Sequence, residues 1–326
     1  MRGSYYLRLR NKRIVYDIKI ERNITIIKGN SGTGKTNLIS MLDAYLEEGR
    51  ASGVHLETDI SSVRILENKT DWEYDLPNYP NSVYFADEHV EYVLTKKFCD
   101  LLHVSGSYLV YITRSSRTGF LQYSISSIME FKSEFDGHLY TNRLYNIYNN
   151  EYESFTPDIV ITEDSTSGLD ILSHGLKVNV ISSYGKDNIV NKLDSISSDY
   201  SKIYIIVDGA AFGNQIQSLF SLIKSLTSCK ILIFAPESFE YLILNTSRFS
   251  RLCKNELSDT SNYVDSSIHK TWENYFEDLL IDLCKNFNHV KYEKVSWNLL
   301  NPFSKSQNLI REITSQLKDL SPDIKL

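Results

Sequence analysis

The sequence predicts an α/β protein: two consecutive parallel-sheet domains, then a helical C-terminal region. Three observations carry this. Short β-branched runs alternate with segments of helical apolar spacing, once before residues 150–157 and again after them. Glycine is scarce, 14 in 326 residues, yet Gly29, Gly32 and Gly34 cluster between a strand-like and a helix-like segment. From about residue 246 the pattern turns amphipathic and polar.

Composition narrows the class. Hydrophobic residues make up 42% and charged residues 23%, which excludes a disordered or fibrous chain. The net charge of −6 argues against coating nucleic acid by charge alone, although a local basic groove stays open. No apolar run approaches a membrane span, and the first residues lack an apolar leader. Cys99, Cys229, Cys253 and Cys284 show no metal-ligand spacing. The expectation is a cytoplasmic protein with reduced thiols and no membrane partner.

In chain order, Arg2, Arg8, Arg10, Lys12 and Arg13 are interleaved with Tyr6, Leu7 and Leu9. Contact with nucleic acid and a β-hairpin with one solvated face both explain this. Ile24–Ile27 reads as a buried strand, and Leu38, Ile39, Met41, Leu42 and Leu46 mark a helix. Val63–Leu66, Ser82–Ala86 and Tyr108–Ile112 read as further strands. Residues 129–156 are polar and aromatic without strong periodicity, and a linker ends at Pro157. The first domain is therefore 1–152. The second, 157–245, has strands at Asp158–Thr162, Val178–Ile181, Ile203–Val207 and Ile231–Phe234, with helices between them. Residues 246–326 form a helical region expected to pack on the second domain.

Gly29-Asn30-Ser31-Gly32-Thr33-Gly34-Lys35-Thr36 is a full Walker A pattern between strand and helix. Its glycines turn backbone N–H groups towards phosphate, Lys35 neutralises β/γ charge, and the Thr36 hydroxyl can hold Mg²⁺. Val83-Tyr84-Phe85-Ala86 with Asp87-Glu88 fits a Walker B strand. Asp87 would reach Mg²⁺ through water, and Glu88 would orient the attacking water. Alternatively, Asp87 caps the helix from about Val90. Thr113-Arg114 ends the next strand, with Arg117 beyond. Arg114 either stabilises transferred charge or belongs to a solvated basic loop. Asn191-Lys192-Leu193-Asp194 spells a guanine-reading string, but Leu193 falls on a helical apolar stripe, so ATP is the expected nucleotide.

In the second domain the acids gather after strands: Glu163 and Asp164, then Asp208, then Glu237 and Glu240. C-terminal strand ends share one edge of a parallel sheet, so these carboxylates suit Mg²⁺ or Mn²⁺. Ile161-Thr162-Glu163-Asp164, Ile206-Val207-Asp208-Gly209 and Pro236-Glu237-Ser238-Phe239-Glu240-Tyr241-Leu242 together resemble a Toprim domain. A P-loop ATPase joined to a Toprim-like domain resembles the overcoming-lysogenisation-defect (OLD) type of defence ATPase-nuclease, and also uncharacterised bacterial P-loop proteins. The resemblance implies ATP hydrolysis that controls a metal-dependent nuclease, with metal held by Glu163, Asp208, Glu237 and Glu240. It implies nucleic acid, a protein partner or a homo-oligomer as partners, in anti-phage defence. One departure matters: Ala210 stands where Toprim enzymes carry a second aspartate. A non-catalytic Toprim-like interaction domain in an ATP-dependent regulator or assembly subunit is the alternative.

Overall fold

The computed structural model describes residues 1–29, 34–148, 155–285 and 307–318. The chain divides into two compact units: residues 1–149 with 259–271, and residues 150–258 with 272–326.

In the first unit the strands are β1 (Tyr5–Arg10), β2 (Ile14–Ile20), β3 (Ile24–Lys28), β4 (His55–Thr58), β5 (Val63–Ile65), β6 (Val83–Asp87), β7 (Tyr108–Ile112), β8 (Ile128–Phe135) and β9 (Tyr140–Asn146). Helix α1 (Lys35–Glu48) follows β3, α2 (Asp75–Asn78) precedes β6, and α3 (Lys96–Ser105) precedes β7. The strands form one sheet in the order β4-β1-β2-β9-β8-β3-β7-β6-β5. From β8 to β5 every pairing is parallel. Of these, β3, β7 and β6 are buried on both faces, which is why they read as near-continuous apolar runs.

The sheet is mixed, not the wholly parallel one expected. β1 pairs antiparallel with β2 and β4, and β8 pairs antiparallel with β9. The β8–β9 hairpin lies in the stretch that reads as aperiodic. Its alternation is present, Met129, Phe131 and Phe135 against Glu130, Lys132 and Glu134, but the outer half of β8 is exposed, so polar residues dilute the signal. The N-terminal basic residues do fall on a hairpin, with Leu7 and Leu9 buried and Arg10 exposed.

Helix α1 covers one face of this sheet. Leu38, Met41 and Leu42 join Leu7, Leu9, Tyr16, Ile27, Val110 and Phe131 in a single buried cluster. Leu46, expected on the apolar stripe, is 44% exposed.

The second unit holds β10 (Ile159–Thr162), α4 (Ser167–Gly175), β11 (Asn179–Ser182), α5 (Ile189–Ile196), β12 (Lys202–Ile206), α6 (Gly213–Ser225), β13 (Lys230–Phe234), α7 (Phe239–Leu244), α8 (Lys254–Ser258), α9 (Trp272–Lys285) and α10 (Gln307–Lys318). Its four strands are all parallel, in the order β11-β10-β12-β13. Leu193 is fully buried on α5, which places the guanine-like string on a helix. Phe276, Leu280 and Cys284 of α9 and Leu309, Ile313 and Leu317 of α10 enter the same core cluster as Val160, Tyr204 and Leu232.

The stretch 246–326 is not one region. Residues 259–271 belong to the first unit, where the Gly3 N–H donates to the Ser261 carbonyl (2.7 Å) and Ser266 Oγ donates to the Gly106 carbonyl (2.7 Å). These are side-chain-to-backbone and loop contacts, invisible to hydrophobic periodicity. Among the described residues no helix is long and apolar enough to cross a membrane.

Candidate functional site

In the first unit, parallel register brings three strand tips to one edge. Ile27 of β3 lies beside Ile112 of β7, and Ile112 lies beside Asp87 of β6. Lys28-Gly29, Asp87-Glu88 and Thr113-Arg114 therefore leave the sheet at the same level. They are laced together: the Lys28 ammonium donates to the Ser115 carbonyl at 2.7 Å, and the Arg114 N–H donates to Glu88 Oε2 at 2.9 Å. The Arg114 guanidinium lies 3.7 Å from Glu88 Oε1.

Asn30, Ser31, Gly32 and Thr33 lie outside the described residues; Gly29, Gly34, Lys35 and Thr36 lie inside. Gly34 caps α1 with φ +83°, a left-handed conformation that glycine adopts without penalty. A Cβ there would also stand 2.8 Å from the Tyr16 hydroxyl. That hydroxyl donates to the Gly34 carbonyl at 2.7 Å and accepts from the Asn37 side-chain amide at 3.1 Å. Tyr16 is fully buried and thus a rigid strut under the start of α1. The sequence reading misses it, because a tyrosine on a strand carries no motif.

Lys35 is buried, and its ammonium donates back to the Gly29 carbonyl. Burial lowers its pKa from the ordinary lysine value. The Arg114 charge adds to that effect and Glu88 opposes it. Lys35, Glu88 and Arg114 thus share one electrostatic neighbourhood. Thr36 is exposed in the first helical turn. Asp87 Oδ1 accepts the His89 N–H at 2.9 Å, which stabilises a local turn. It does not cap the following helix: Thr95 does, accepting the Phe98 N–H at 3.3 Å.

In the second unit Glu163, Asp164, Lys186, Asp208, Glu240 and Glu273 line one cleft of about 480 Å³ at the C-terminal strand edge. Glu163 Oε1 accepts the Asp208 N–H at 2.6 Å, while Oε2 is buried without a hydrogen-bond partner among the described residues. Burial pushes the Glu163 carboxyl up to about 7; the Asp208 N–H opposes the shift and the Glu273 charge reinforces it. Glu273, in the first turn of α9, escapes a motif-based reading, because its helix lies far along the chain from the strands whose cleft it lines.

No protein-family model matches this chain. No curated protein matches it either.

The expected four-carboxylate metal centre is not assembled. Among the described residues no group of three or more His, Cys, Asp or Glu side chains is arranged to hold a metal ion. The geometry gives the reasons. Asp164 is a helix-start acceptor, taking the Thr166 N–H at 2.9 Å and the Gly168 N–H at 2.7 Å. Glu237 does not line the cleft; its backbone carbonyl accepts the Ala210 N–H at 3.0 Å. Ala210 itself is 2% exposed and brings no carboxylate to the cleft. What remains is Glu163, Asp208, Glu240 and Glu273 lining one cleft, with one Glu163 oxygen left without a hydrogen-bond partner among the described residues.

Proposed function

We propose that the chain binds and hydrolyses ATP at the Gly29–Thr36 loop. The observation that supports this most is the meeting of Lys35, Glu88 and Arg114 at the strand edge where the loop begins. Lys35 and Arg114 offer positive charge to a triphosphate. Glu88 sits one residue beyond Asp87, where a carboxylate can orient and take a proton from attacking water. The start of α1 adds N–H groups and its positive dipole end. Thr36 and Asp87 would hold Mg²⁺, which takes only one or two protein ligands and offsets phosphate charge when bound.

Hydrolysis measured with Mg²⁺ tests this. Lys35→Ala should lose binding and turnover together. Glu88→Gln should keep binding and lose turnover by roughly 10²-fold or more. Equal turnover in all three proteins would refute the assignment.

For the second unit we favour the Toprim-like reading, in which Glu163, Asp208 and Glu240 line the cleft and would have to converge further to hold Mg²⁺ or Mn²⁺. In its nuclease form, nucleotide state in the first unit controls phosphodiester cleavage, as the resemblance to OLD-type defence proteins implies. The buried Ala210 and the engaged Asp164 favour the second form, a non-catalytic interaction domain in an ATP-dependent regulator. Plasmid nicking with Mn²⁺, with Glu163→Gln as control, separates them. Cutting that the variant abolishes supports the nuclease, and no cutting supports the regulator.

A further inference from the structure

β8 runs past the end of the strand that feeds the phosphate loop. It pairs in parallel with β3, Ile26 beside Ile128 and Lys28 beside Glu130, so everything from Phe131 onward projects beyond Lys28. Phe131 fixes which face of this projection is which. It is 8% exposed, meets Tyr16 edge-on at 5.4 Å, and packs in the cluster that contains Leu38, Met41 and Leu42 of α1. Alternation along the strand puts Phe135 on that same face, four residues and roughly 13 Å further out.

Phe135 has Tyr140 as its cross-strand partner. The two rings lie 4.6 Å apart at 31°, yet they are 57% and 50% exposed. The turn between them is locked, because Asp136 Oδ1 accepts the N–H groups of His138 and Leu139, each at 2.8 Å. The Tyr140 N–H donates to the Arg13 carbonyl at 3.0 Å, which draws the Asn11-Lys12-Arg13 turn alongside. Asn11 is tied to α1 in its turn, its amide 3.5 Å from Met41 Sδ.

A rigid, exposed aromatic pair is costly in water and well shaped to stack on a planar ring. By register this pair lies beyond the level at which Gly29 leaves β3, on the face of the sheet that holds Phe131 and α1, with a basic turn beside it. We infer that Phe135 and Tyr140 form the stacking platform for the base of the nucleotide whose phosphates the Gly29–Thr36 loop holds. The inference rests on the loop being a triphosphate site. Because every base offers a π-face, such a platform favours a nucleotide over bare phosphate but discriminates little between adenine and guanine.

Calorimetric titration of the full chain with Mg²⁺ and either ATP or inorganic tripolyphosphate separates the two ideas. The Phe135→Ala/Tyr140→Ala double variant should lose about tenfold or more in ATP affinity and leave tripolyphosphate affinity unchanged. Tyr140→Phe should bind ATP like the wild type. Equal ATP affinity in wild type and double variant would overturn the platform and spare the loop. Wild type that binds neither ATP nor tripolyphosphate would overturn both. A changed sedimentation coefficient in the double variant, with the ATP-to-tripolyphosphate affinity ratio intact, would mark the pair as a protein-contact surface and end the inference.

Discussion

Tyr16 and Gly34 illustrate how one contact sets the start of α1. The Gly34 carbonyl accepts both the Leu38 N–H, which opens α1, and the Tyr16 hydroxyl. Gly34→Ala meets two penalties, a positive φ and the tyrosine oxygen, so about 1–3 kcal/mol of stability should disappear in thermal unfolding. Tyr16→Phe removes only the strut. It should weaken ATP affinity by roughly two- to tenfold while the protein stays folded. Glu163 carries the clearest pH signature. Its folded pKa lies near 7, above the ordinary 4.5, because burial disfavours the charged form. The folded state therefore binds that proton more tightly than the unfolded chain. Its contribution is full below about pH 4.5 and is lost as pH rises through 7. The urea midpoint of the wild type should accordingly fall relative to that of Glu163→Gln between pH 5 and pH 8. Parallel curves for the two proteins would contradict this.

Strands with both faces buried were easy to read, since Ile24–Lys28, Val83–Asp87, Tyr108–Ile112 and Lys202–Ile206 are short, apolar and β-branched or aromatic. β8 and β9, with one wet end, were not: they hid among charged and aromatic residues, and with the antiparallel β1 they make the sheet mixed. Local chemistry also decides between roles that composition leaves open. Asp164 looks like a metal ligand in the sequence, yet it accepts N–H groups from Thr166 and Gly168 at the start of α4. Asp164→Ala should therefore cost about 1 kcal/mol in denaturant unfolding and leave Mn²⁺ affinity unchanged. A loss of Mn²⁺ affinity without destabilisation would restore it as a ligand.

The chain does not fold as a simple succession of segments. Residues 259–271 return to the first unit after the second has begun, and the chain then continues into α9 and its Glu273. Nothing in hydrophobic spacing signals such a return, because its anchors are hydrogen bonds: Ser266 Oγ donates to the Gly106 carbonyl, and the Ser266 carbonyl accepts from His103 Nδ1 at 2.7 Å. The strand tips that carry Lys28-Gly29, Asp87-Glu88 and Thr113-Arg114 were legible, since each follows a short apolar run, and the sheet brings them to one edge. The partners that shape both sites, Tyr16 and Glu273, come from sequence-distant elements and were not. Ser266→Ala should lower the unfolding midpoint of the first unit by the equivalent of about 1–2 kcal/mol, although it lies 160 residues from Gly106. The most direct test of the whole account is equilibrium binding of ATP with Mg²⁺ to wild type and Lys35→Ala. The account predicts saturable binding at one site per chain, weakened at least tenfold by the substitution; wild type that binds no ATP, or a variant that binds it equally well, would contradict it.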